Sequence, residues 1–94
     1  MAGQASISSD ILARYAGDAA REVPGVRGLA GRKSVRVDEG DGVRVELHLA
    51  VEWGASIPEV GRGVQERVRE YLISMADVRP GVVDVVVDEV GPLR

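Results

Sequence analysis

The chain has 94 residues, 45% of them hydrophobic and 29% charged, with a formal net charge of −3 and no cysteine. This balance admits one folded domain and excludes a disordered chain, disulfides and thiol chemistry. The acidic surplus repels polyphosphates, so nucleic acid is not an expected partner.

Phe is absent and Trp53, Tyr15 and Tyr71 are the only large aromatics, which leaves Val, Leu, Ile and Ala to build the core. Residues 1–6 show neither the basic region nor the apolar stretch of a secretory leader. No run approaches the ~18 apolar residues of a membrane span. A cytoplasmic protein without direct membrane insertion is the expectation.

Ser8-Ser9-Asp10 supplies capping hydroxyls and a first-turn carboxylate just ahead of Ile11, Leu12, Tyr15, Ala16, Ala19 and Ala20, which recur at helical spacing. The spacing predicts a helix over about 9–22 with a narrow, alanine-rich stripe. Pro24-Gly25 ends it and turns the chain into a strand. Val26 to Ala30 predicts a short strand broken by Gly28 and Gly31, and Val35 and Val37 mark a second. After the turn signal Asp38-Glu39-Gly40-Asp41-Gly42, six residues (Val43, Val45, Leu47, Leu49, Val51, Trp53) alternate strictly with polar or small ones. That is the pattern of a strand with one buried face, joined to its predecessor as an antiparallel hairpin.

Gly54 and Ala55 end this strand, and Ser56-Ile57-Pro58-Glu59 reads as a capping box. Ile57, Val60, Val64, Val68, Tyr71, Leu72 and Met75 then form the stripe of a second helix. Gly61 borders that stripe, and close packing against Ala16, Ala19 or Ala20 is one reason for a glycine there. Pro80-Gly81 closes the helical region, and Val82 to Val90 predicts a last strand. Strand, helix and strand in succession make a crossover with parallel pairing. The expected fold is a single α+β domain over 1–94, with an ordered core of about 7–90. One mixed β-sheet carries two helices on one face, in the order α-β-β-β-α-β. A helix, a Pro-Gly-Val corner and a valine-rich strand occur twice, at 9–37 and 57–87, which reads as a reused corner.

The search for chemistry returns no catalytic, metal or cofactor-binding residues, and no cofactor is expected. His48, the only histidine, projects from the strand face opposite Leu47 and Leu49, with Glu46 and Glu52 on the same side. It reads as a solvated outer-face side chain. Glu46 and Glu52 lie about 20 Å apart at ~3.3 Å per residue, too far for paired acid/base work. Asp84 and Asp88, with Glu89, read as guards against indiscriminate strand pairing. Gly28-Leu29-Ala30-Gly31 has a GxxG spacing but leads toward a strand, and Gly61-Arg62-Gly63 lies inside a helix, so neither is a nucleic-acid or nucleotide loop. Val82, Val86 and Val90 fall on the outer side of the last strand. They read either as an interaction surface or as the β propensity of a central strand.

Five segments in this order resemble the bacterial alkaline shock protein family of envelope stress response proteins. They are Ile7 to Leu12, the Ala16 to Val26 stretch ending Val-Pro-Gly-Val, the alternating strand closing at Trp53-Gly54, the Ile57-Pro58-Glu59-Val60 helix start with Gln65-Glu66-Arg67-Val68, and the valine-rich last strand. The resemblance implies a non-enzymatic cytoplasmic protein of cell-envelope homeostasis that self-associates as a homo-oligomer. It further implies docking at the inner face of the membrane through a small membrane-anchor protein. A different reading is a regulatory module that controls a metabolic enzyme or binds a small ligand between helices and sheet.

Overall fold

In the computed structural model, which describes residues 7–91, helix α1 (Ser9–Arg21) begins where the Ser8 hydroxyl accepts the Ile11 amide at 3.3 Å. Its stripe of Leu12, Ala16, Ala19 and Ala20 is buried. The corner at Pro24-Gly25 leads into β1 (Val26–Leu29), followed by β2 (Val35–Gly40), β3 (Gly42–Val51), α2 (Ile57–Ala76) and β4 (Val82–Val90). This is the order and the mixed sheet expected from the sequence.

The sheet is organised around β3, which pairs with every other strand. Strands β1 and β2 lie antiparallel along one edge, β1 against Leu49 to Val51 and β2 against Gly42 to Leu47. Strand β4 lies parallel along the other edge. Between β1 and β2 the backbone of His48 stays paired: its carbonyl accepts the Ala30 amide at 2.8 Å and its amide donates to the Ser34 carbonyl at 2.7 Å. Residues 31–33 therefore loop out of what is otherwise one long edge strand.

Alternation along β3 decides which side the helices cover. Val45, Leu47, Leu49 and Val51 are fully buried against Leu12, Val64, Val68 and Leu72. Aliphatic surface removed from water at about 25 cal/mol per Å² is the main stabilising contribution of such a core. Trp53 departs from the alternating pattern, with 60% of its surface exposed. The strand stops at Val51, and the chain turns just beyond it, where Gly54 adopts φ 89° and the Ala55 amide reaches back to the Glu52 carbonyl at 3.1 Å. Ile57 and Met75 likewise fall outside the core, at the two ends of the α2 stripe.

Helix α2 starts as its sequence predicts, with the Ser56 hydroxyl accepting the Glu59 amide at 3.4 Å. It ends earlier than Pro80-Gly81. Asp77 takes a left-handed φ of 54°, and the Val78 amide reaches the Leu72 carbonyl at 3.1 Å. This is the six-residue bond of a Schellman stop, made here with aspartate where glycine is usual.

The helices meet through Tyr15 and Tyr71, edge to face with centroids 5.9 Å apart, and through Arg67 with Glu22. Within the helices, close approach occurs at two glycines other than Gly61. A Cβ on Gly17 would stand 3.1 Å from Leu29, and one on Gly63 would stand 3.2 Å from Val23, whereas one on Gly61 would meet nothing within 4 Å. Packing thus gives no reason for a glycine at 61. Gly61→Ala is expected to stabilise the domain by about 1 kcal/mol and raise Tm by roughly 4–8 °C, measured by thermal unfolding.

Candidate functional site

With the helices on one side, the alternation of β3 turns Arg44, Glu46, His48 and Ala50 to the other. Register extends these rows across the sheet: Asp38, Arg44 and Val82 in one, Arg36, Glu46 and Asp84 in the next, then His48 beside Val86. The outer face is thus a polar lattice with valines along its β4 margin.

His48 sits at the middle of this lattice with its side chain 27% exposed. Its Nε2 lies 2.7 Å from Glu46 Oε2 and its Nδ1 lies 2.9 Å from Asp88 Oδ2. Only the doubly protonated imidazolium can donate to both carboxylates at once, so the arrangement suits the cation. The partner across the sheet is Asp88, forty positions away in sequence, and Glu52 takes no part. A register shift opposite Leu49 and Ala50 inserts one extra residue in β4, and Asp88 occupies it.

Donating to Glu46, and next to Asp88, raises the pKa of His48, and accepting from His48 lowers that of Glu46. The His48 contribution to stability is therefore complete below its unfolded value of 6.5 and is lost as pH rises through the higher folded value. The Glu46 contribution is complete above its unfolded value of 4.5 and is lost as pH falls through the lower folded one. Thermal unfolding across pH should give the highest Tm between these values with a decline on the alkaline side. His48→Gln should flatten that alkaline decline, and an unchanged profile would show that the cross-strand pairing does not contribute.

This cluster does not hold a lone pair ready for base catalysis, since both ring nitrogens face carboxylates. Its two carboxylates lie on opposite sides of the ring. Among the described residues no group of three or more His, Cys, Asp or Glu is arranged to bind a metal ion.

The three valines read from the sequence part company. All three are exposed, and Val82 and Val86 register with Arg44 and His48 on the outer face. Val90 registers with the buried Val51, because the extra residue at Asp88 returns it to the helix side. Spacing alone could not reveal that shift. Strand β4 is also an edge strand, so its valines are not those of a central one.

Three depressions among the described residues are open to solvent. One is framed by the β2–β3 hairpin and Gly81-Val82. Others lie beside the Pro24 corner, lined by residues such as Val23, Ala55, Glu59 and Gly63.

A family model for the alkaline shock proteins, described as having a cell envelope-related function, matches residues 1–92. The uncharacterized protein YqhY of Bacillus subtilis is 32% identical, the match covering 81% of this chain and 68% of that protein. The uncharacterized protein YloU of the same organism is 26% identical over 71% of each. Among solved structures, a MamM CTD aligns with a TM-score of 0.69 at 20% identity, covering 88% of this chain and 84% of that one. At this identity the likeness is one of fold.

Proposed function

The chain belongs to the alkaline shock protein family, whose function is related to the cell envelope, and from that premise we propose that it is a non-enzymatic protein of the envelope stress response that works by self-association and by contacts with other proteins. The observation that carries this reading is the bare outer side of the sheet. Val82 and Val86 stand exposed there beside a lattice whose central histidine is already bonded on both nitrogens. Val82 and Val86 are the contact residues of this reading, and Val90 stands apart from them.

No helix among the described residues is long and apolar enough to cross a membrane. This reading assigns residence at the inner face of the membrane to a small membrane-anchor protein as partner. The alternative of a ligand-binding regulatory module needs open space between helices and sheet, where Leu12, Leu47, Leu49, Val64 and Leu72 instead fill the interior. A thermal-shift screen of metabolites tests that alternative.

Sedimentation velocity over a wide concentration range, with affinity purification from detergent-extracted membranes, tests the proposal. Concentration-dependent assembly, weakened by Val82→Ser together with Val86→Ser, is the expected result. A chain that stays monomeric throughout and recovers no membrane protein would sink it.

A further inference from the structure

The far edge of β4 carries a second kind of information, held in the backbone. Even-numbered residues of β3 bond toward β1 and β2, as the two bonds of His48 and that of the Glu52 amide to Gly25 show. Odd-numbered residues of β3 must therefore bond toward β4, as the Val51 carbonyl does in accepting the Gly91 amide at 2.6 Å. In a parallel pair those bonds go to Val82, Asp84 and Val86, which turns the backbone groups of Val83, Val85 and Val87 away from the sheet. Gln65 of α2 caps one of them, donating its side-chain amide to the Val83 carbonyl at 3.0 Å. No other strand pairs with this edge among the described residues.

The charged side chains of β4 itself have one sign. Val82 to Val90 contains Asp84, Asp88 and Glu89 with no basic residue and no proline. Asp84 registers beside Glu46, a like charge, and forms no ion pair among the described residues. Val85 and Val87, on the helix side, are only half-buried because no neighbouring strand covers their flank.

We propose that the open edge of β4 takes up an extended segment of a partner protein in which basic and β-branched residues alternate. Its backbone pairs with Val85 and Val87, its basic side chains lie beside Asp84 and the Asp88-Glu89 step, and its apolar side chains cover the exposed flanks of the valines. Acidic strands are turned away by the same carboxylates. Two-fold pairing with a second copy through β4 is disfavoured, since it gathers six carboxylates, three from each copy, into one two-stranded ribbon. The inference rests on the protein-contact reading above and names the kind of segment recognised.

The test uses the full chain, isotopically labelled, and two blocked peptides of equal length, one alternating Val with Lys and the other Val with Glu. The Lys peptide is expected to slow amide exchange at Val85 and Val87 at least tenfold, with an effect that weakens as salt is raised. The Glu peptide is expected to leave these amides unprotected, and Asp84→Lys to shift the preference toward it. Equal binding of the two peptides, binding without protection of Val85 and Val87, or an unchanged preference in Asp84→Lys each overturns the proposal. Sedimentation of the peptide-free chain reports on self-association separately. Assembly without peptide uptake rejects the edge and leaves the broader function standing, whereas peptide uptake by a strictly monomeric chain keeps the edge and rejects self-association.

Discussion

Gly25→Ala is expected to lower stability by about 3 kcal/mol, enough to take Tm down by roughly 12–24 °C. Two independent costs combine there. The residue holds φ 95°, where an L side chain is strained, and an added Cβ would stand 2.7 Å from Val60 and 3.3 Å from Ala55. The Gly25 carbonyl also receives the Glu52 amide, so a shifted corner would loosen the end of β3 as well. Gly28→Ala is the internal control, because a Cβ at that position meets nothing within 4 Å. Equal losses in the two variants by thermal unfolding would reject this account of the corner.

Leu47→Ala is expected to cost about 3–4 kcal/mol, a large part of the roughly 5–14 kcal/mol available to a domain of this size. Leu47 is completely buried at the middle of β3, in register with Val35 on one side and Val85 on the other. With a strand fixed on either side and two helices over it, little collapse can fill the cavity. Urea unfolding should show a lower midpoint with an unchanged slope. Ile73→Ala, at an exposed position on α2, should cost well under 1 kcal/mol.

The elements that could be read from the sequence are those whose physics is local. The alternation from Val43 to Leu49 survives because β3 has a helix-covered face and an open one as far as His48; beyond it Ala50 is buried as well. Ser8 and Ser56 could be recognised as caps because a hydroxyl placed before an apolar stripe answers the unpaired amides of the first turn. Trp53 misled because its spacing continued the alternation past the end of β3, where the chain turns at Gly54. Gly61 misled for a related reason: the residues that bring the layers together are Gly17 and Gly63, and each depends on a side chain from another element.

The candidate site was legible only in part. That His48 and Glu46 share a face follows from period two. That Asp88 completes the group depends on a parallel pairing across forty residues and on one inserted residue, neither of which leaves a mark on composition. The same insertion removed Val90 from the row formed by Val82 and Val86. Two consecutive polar residues at the bulge, Asp88 and Glu89, are the one hint the sequence held.

Because β3 borders every other strand, the order of synthesis bears on how the protein reaches its native state. Residues up to α2 can assemble a helix-backed hairpin as they leave the ribosome, yet the second side of the central strand stays unzipped until the carboxy-terminal stretch arrives. Joining distant parts of the chain in parallel is a slow kind of closure. During that interval the nascent protein exposes a greasy seam where strands from neighbouring chains can insert, which makes the final valines the guard against misassembly at birth.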